Sequence, residues 1–293
     1  MKVAIYSRVF DRAQKEDVQL FFDELKKQKL KPIIFHSFYE QIKNHIDLPE
    51  DSGVFFLSED ITDEMEYIIS LGGDGTLLDT VTLVRGRNVA VMGINFGRLG
   101  FLASIGRDEV RVAIKALVNH SFVVDKRTLI HLDSNLPLFG HIPYALNEFA
   151  IHKRDIAPMV KIHTYLNGEF LNTYWVDGLL VSTPTGSTGY SLSCGGPIVF
   201  PESGSFVITP IAPHNLNVRP IVVPDDNIIS FEVESRSDQI ICALDSRREI
   251  VDKDVQLAVR KESFLLSLVR LNENNFLQTL RNKLTWGLDK RNY

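Results

Sequence analysis

Cysteine is nearly absent from this chain. Its 293 residues hold two, Cys194 and Cys242. Two thiols cannot build a disulfide framework, and no CxxC or Cys/His cluster has the spacing of a zinc site. The expectation is a pair of reduced thiols in a cytoplasmic protein. Long hydrophobic runs are missing too. The stretch Met1–Arg8 is too short in apolar residues for a signal peptide, and no segment approaches the length of a transmembrane helix. There is no excess of positive charge: the net charge of −5 argues against a nucleic-acid partner held by its backbone. It leaves room for a polyanionic small ligand on a local basic patch. The chain carries no GxxxxGK[ST] loop, no GxGxxG, no GxSxG elbow and no HExxH, so a phosphoryl donor would have to be bound by something other than a Walker motif.

What is present is an ordinary globular composition, 44% hydrophobic and 24% charged. Up to about residue 120 strands and helices alternate. Strand candidates are residues 3–7, Pro32–Phe35, Val54–Leu57, Tyr67–Ser70 and Val89–Ile94. Helix candidates are residues 12–29, Tyr39–His45, Leu77–Val84 and Glu109–Val118. That alternation predicts a parallel α/β layer. From Phe122 the strands lose their helices. Phe122–Asp133, Tyr144–Ile151, Val160–Asn167, Gly178–Thr183, Ser205–Pro210, Ile221–Val223, Ile228–Val233, Ile240–Leu244 and Val255–Val259 predict an antiparallel β domain. Asn275–Leu284 reads as a helix. The expected domains are 1–121 (α/β), 122–270 (β) and a helical tail, 271–293, that returns to the first.

Two segments carry chemistry. In the first, the apolar run Tyr67–Ser70 leads into Leu71-Gly72-Gly73-Asp74-Gly75-Thr76 and then Leu77-Leu78. This reads as a strand, a glycine turn and a helix start, where backbone N–H groups favour an anion such as phosphate. A carboxylate in that turn has no reason to face phosphate, but good reason to take a proton from a hydroxyl that attacks one. The same residues also fit an ordinary turn with Asp74 as its cap. The second segment runs from Asp177 to Ile198, with seven Ser or Thr between positions 182 and 193. Small hydroxyls suit ribose and phosphate, and Tyr190 offers a face for a base. Asn147-Glu148, at the end of Tyr144-Ala145-Leu146, can project into a crevice or serve as a surface turn. Asn95–Leu102 sets two glycines around Arg98, as a phosphate-facing turn or as a plain loop.

Together with Pro213-His214-Asn215-Leu216, Arg219-Pro220-Ile221 and Asp245-Ser246, these segments resemble the NAD kinase family in order and spread. The resemblance implies phosphorylation of the adenosine ribose 2′-hydroxyl of NAD by ATP, with a divalent cation, Mg²⁺, and a homodimer or homotetramer with neither nucleic acid nor membrane as partner. It implies Asp74 as general base and Gly75 as a backbone contact to NAD. Phe101 would lie near the adenine, Asn147 and Glu148 near the adenosine ribose, and Asp177 near the nicotinamide. Thr188, Gly189, Tyr190, Ser191, Leu192 and Ser193 would line the dinucleotide pocket, with Arg247 beside it. The chain departs from familiar members at Gly189 (often alanine), Trp175, Arg247 and Asp79, where some members carry arginine. A kinase of a lipid or sugar alcohol and a non-catalytic NADP(H)-binding regulator are the competing expectations.

Overall fold

The computed structural model describes residues 1–62, 64–98, 100–154, 158–271 and 276–285. The chain divides into two compact units, residues 1–126 with 266–293, and residues 127–265.

The first unit begins β1 (Lys2–Tyr6), α1 (Lys15–Lys27), β2 (Lys31–Phe35), α2 (His36–Ile42), β3 (Gly53–Phe55) and β4 (Met65–Leu71). It continues with α3 (Asp74–Val84), β5 (Ala90–Asn95), β6 (Ile105–Gly106), α4 (Val110–Val118) and β7 (Val123–Arg127). Helix and strand boundaries follow side-chain spacing. On α1, Val18, Phe21, Phe22 and Leu25 recur on one face and are buried. In β4, alternate residues serve two faces. Tyr67, Ile69 and Leu71 join the core that includes α1 and α4, while Ile68 and Ser70 are fully buried on the other side. A parallel strand covered on both faces reads as a continuous apolar run, which is why Tyr67–Ser70 shows no alternation. The pairings β1–β2, β1–β4, β2–β3, β4–β5 and β5–β6 are parallel.

The second unit holds β8 (Ile130–Ser134), β9 (Tyr144–Ala145), β10 (Glu148–Lys153), β11 (Val160–Leu166), β12 (Glu169–Val176), β13 (Gly178–Ser182) and the short helix α5 (Tyr190–Ser193). Then come β14 (Ser205–Ile211), β15 (Ile221–Pro224), β16 (Ile229–Glu234), β17 (Gln239–Leu244), β18 (Arg247–Asp252) and β19 (Leu257–Lys261). They form two antiparallel sheets, β15-β14-β13-β10-β17-β18 and β12-β11-β16-β19-β8-β9. One apolar core joins both sheets, with Phe149 and Phe231 packing at a ring separation of 5.9 Å.

The chain then returns to the first unit as β20 (Leu266–Arg270) and α6 (Phe276–Leu284), and β20 lies between β5 and β7 in the first sheet. The antiparallel domain with a helical tail back to the first unit is the expected architecture. The details differ at three places. Phe122–Asp133 is two strands, and its first half, β7, belongs to the α/β sheet. Neither glycine nor proline marks the break, so no local signal announces it. Tyr144–Ile151 is also two strands, interrupted at Leu146-Asn147. Strands β6, β12, β18 and β20 have no counterpart among the expected strands; β6 has only two residues, and β18, Arg-Arg-Glu-Ile-Val-Asp, has a single buried residue. Of the expected tail, residues 272–275 and 286–293 lie outside the described residues, as does Leu99 of the Asn95–Leu102 turn. No described helix is long and apolar enough to cross a membrane.

Candidate active site

In the first unit the glycine turn is built for a carboxylate. Gly72 has φ +148°, a region closed to most side chains. Its N–H donates to Ile94 O at 2.9 Å, tying the turn to the end of β5. Gly73 is the N-cap of α3, and Asp74 is the first residue of the helix. The Asp74 carboxylate turns toward the next loop. Oδ2 accepts from Phe101 N–H at 2.8 Å, and Oδ1 accepts from Leu102 N–H at 3.1 Å and Ala103 N–H at 2.9 Å. Gly100 completes the cradle, since a methyl group there would overlap the Asp74 carboxylate. Asn95 shapes the same loop, donating to Arg98 O at 2.6 Å and accepting from Gly97 N–H at 2.9 Å. Asp74 and Phe101 are therefore held together, with Gly75 next in the chain, and Asn95 ties down the 95–98 part of the facing loop. Carboxylates have roughly four lone-pair positions. Both on Oδ1 are filled, and one on Oδ2 remains for an incoming donor.

In the second unit a different aspartate does the same for Asn147-Glu148. Asp245, at φ +52°, accepts from Leu146 N–H (3.0 Å), Asn147 N–H (2.8 Å) and Glu148 N–H (3.2 Å). Those N–H groups are thereby withdrawn from the strand ladder, which is the physical reason the run Tyr144–Ile151 breaks. Glu148 Oε2 is buried without a hydrogen-bond partner. Burial, reinforced by the Asp245 charge, pushes the Glu148 carboxyl up to about 8. Asp245 is also raised by burial, but its three N–H donors work against that rise, so Glu148 is the member of the pair that takes the proton. A methyl group on Gly189 would stand 3.6 Å from Glu148 Oε2 and 3.8 Å from Asn147 Nδ2. An alanine methyl there would make only ordinary van der Waals contact with both groups.

The hydroxyl-rich segment divides by role. Ser187 Oγ donates to Pro184 O at 2.7 Å and accepts from Val199 N–H at 3.0 Å. Ser191 is fully buried, its Oγ 2.9 Å from Thr209 Oγ1. Both hold the loop from within. Thr188 Oγ1 donates to Thr185 O at 3.2 Å. Tyr190 is 40% exposed, and its ring stacks on His152 at 6.0 Å. Leu192 is half-buried and Ser193 exposed on α5. Asp177 pairs with Lys153 at 2.6 Å, at the far end of β10 from Glu148. Five residue steps along β10 separate Glu148 from Lys153, about 17 Å, the scale of an elongated ligand. Arg247 is the residue least placed for a ligand. Its guanidinium donates to Ile142 O at 2.5 Å and to Tyr144 O, and lies over the Phe139 ring, pinning that loop.

The role of Asp245 is not legible in the sequence because its partners are 97–99 residues away. Asp79 and Arg8, absent from the expected site, form a bidentate ion pair beside Gly75. The usable signal was spacing: Asp79 follows Gly75 by four residues, so it lies on the same helical face and calls for a cation there. No cluster of three or more His, Cys, Asp or Glu is placed to hold a metal among the described residues.

The profile of the ATP-NAD kinase N-terminal domain matches residues 14–122, and that of the ATP-NAD kinase C-terminal domain matches residues 146–271. The chain is 48% identical over 293 residues to an NAD kinase of Cytophaga hutchinsonii, covering all of both chains. It is 40% identical over 294 residues to one of Flavobacterium psychrophilum, again covering all of both. Among solved structures, yeast NADH kinase complexed with NADH superposes with a TM-score of 0.87 at 23% identity, over 98% of this chain and 88% of that one. An NAD kinase from Archaeoglobus fulgidus in complex with ATP gives 0.75 at 24% identity, over 97% and 99%.

Proposed function

The chain belongs to the NAD kinase family, and from that premise we propose that it phosphorylates the adenosine ribose 2′-hydroxyl of NAD with ATP, Asp74 acting as general base. It is a phosphotransferase. The 2′-oxygen attacks the γ-phosphorus, the bond from that phosphorus to the β,γ-bridging oxygen breaks, ADP leaves, and the hydroxyl proton passes to Asp74. The observation that carries this reading is the Asp74 cradle. Three backbone N–H groups fix the carboxylate in one orientation, with a single acceptor position on Oδ2 left for the hydroxyl. A secondary hydroxyl is a poor nucleophile, and a positioned base raises the rate by roughly 10²–10⁴. Mg²⁺ is taken to arrive as part of the ATP substrate and to neutralise charge on its phosphates, as in other phosphoryl transfers.

In this reading Gly75 and Phe101 present the first unit's backbone to NAD. Glu148, with its unpartnered oxygen, and Asn147 bind ribose hydroxyls. Thr188, Gly189 and the ring of Tyr190 take the adenosine, with Leu192 and Ser193 at the margin of that pocket. Ser191 supports it from beneath, and Arg247 acts by holding the 139–144 loop. Asp177 lies toward the nicotinamide. A dimer or tetramer belongs to the same proposal, supported by the exposed rings of Phe170 and Trp175 on the β11–β12 hairpin. The two free thiols support a cytoplasmic setting.

The test is NADP formation by the purified protein with NAD, ATP and Mg²⁺. Turnover is expected. Binding of NAD or NADP without product, with any nucleoside triphosphate, would make the protein a regulator instead. In the same assay Gly100→Ala is expected to cut kcat about 100-fold by displacing the carboxylate while NAD affinity stays within a few-fold. Unchanged kcat would show that the cradle is not needed.

A further inference from the structure

The donor's phosphates need positive charge, and the side chains of the Gly72–Gly75 turn supply none. Arg8 stands beside that turn. Its backbone is fixed by the neighbouring Ser7, whose Oγ donates to Leu71 O at 2.7 Å. Its guanidinium is gripped along one edge only. Nη2 donates to Asp79 Oδ1 at 2.6 Å and Nε donates to Asp79 Oδ2. Asp79 is itself fixed by the Tyr6 hydroxyl, which donates to Oδ2 at 2.9 Å. Burial and that contact raise the phenol far above its usual range, so it stays a donor. The remaining nitrogen, Nη1, makes no hydrogen bond among the described residues, and it lies 3.4 Å from where a Cβ on Gly75 would be. The side chain is 43% exposed. A cavity of about 220 Å³ opens beside it, lined by Ser7, Arg8, Gly72, Thr76 and Phe96 among others.

A surface ion pair would be worth little by itself. This one leaves two N–H donors of a permanent cation aimed across a glycine turn. A planar guanidinium can satisfy a carboxylate on one edge and a phosphate with the nitrogen left over, which an ammonium cannot do with the same geometry. We propose that Arg8 binds the phosphate chain of ATP through Nη1, with Asp79 and Tyr6 as positioning residues that keep that nitrogen turned toward Gly75. This assignment rests on the kinase reading above.

Steady-state constants for ATP and NAD decide it, measured for the wild type, Arg8→Ala and the double variant Arg8→Ala/Asp79→Ala, with unfolding midpoints as a check on folding. Loss of a charge-assisted hydrogen bond predicts a fall of about 10- to 100-fold in kcat/KM for ATP in both variants, with KM for NAD unchanged. Wild-type kcat/KM for ATP in Arg8→Ala overturns the proposal. So does its recovery in the double variant, because Arg8 would then only neutralise Asp79. An equal loss toward NAD overturns it as well. If the wild type makes no NADP, the kinase reading fails instead, and calorimetric titration with MgATP still tests Arg8: weaker binding in the variants supports it, and equal binding sinks it.

Discussion

Asp74→Asn is expected to lose at least about two orders of magnitude in kcat while the fold persists. The structure says where the loss arises. With its carbonyl in the place of Oδ1, asparagine keeps the bonds from Leu102 and Ala103 N–H. Its amide nitrogen then meets the Phe101 N–H that Oδ2 now accepts, two donors face to face. The free acceptor position on Oδ2 disappears with it. Two effects follow together: no group takes the hydroxyl proton, and the Phe101 end of the loop is released, at about 1–3 kcal/mol for the unsatisfied donor. Steady-state constants separate them. Loss of a base lowers kcat with KM for NAD little changed, whereas a loosened loop raises KM for NAD. A variant with near-normal kcat would remove Asp74 as the base.

Glu148→Gln is expected to stabilise the protein in alkaline solution. Burial and the Asp245 charge disfavour the ionised form and push the folded-state carboxyl up to about 8, from an ordinary 4.5. The folded protein therefore holds this proton more tightly than the unfolded chain does. Stability from this group is complete below about 4.5, falls as pH rises, and is lost above about 8, a change of about 4–5 kcal/mol across the window. Glutamine is the isostere of the neutral acid and carries no such penalty. Unfolding midpoints at about pH 5 and about pH 9 should diverge, the wild type falling and the variant falling less. Parallel profiles would mean that Glu148 ionises freely. The same titration reaches the substrate: KM for NAD in the wild type should change through about pH 8, whereas in the variant it should stay flat.

In the first unit the elements from β1 to β5, with α1, α3 and α4, are legible because they are punctuated, whereas β6, β7 and β20 of the same sheet are not. Gly72-Gly73 ends β4, and apolar residues at helical spacing mark α1 and α4. The second unit hides more. Its break at Leu146-Asn147 is caused by Asp245, a carboxylate that a linear reading cannot bring near. β7 joins β8 through Thr128-Leu129 with no turn residue between them. The site behaves the same way. Asp74, Glu148 and Tyr190 announce themselves by residue type within short motifs. The groups that hold them, Gly100, Asp245 and His152, act through backbone amides, steric room and ring stacking supplied by distant chain. Arg8 and Asp79 fall between these cases, since their partnership spans 71 residues but half of it follows from helical periodicity.

The return of β20 to a place between β5 and β7 sets an order on the birth of this protein. A ribosome delivers six of the eight strands of the first sheet, in sequence, before any of the second unit, and then β7 with no neighbour waiting for it. Residues 127–265 must be made before the missing strand arrives. Through that interval the apolar edge at Val91 and Met92 stays open, because their parallel partners are Leu268 and Val269. The nascent first unit is thus an unfinished sheet whose missing strand follows the whole of the second unit. Until β20 fills it, that edge is a template on which another chain can pair.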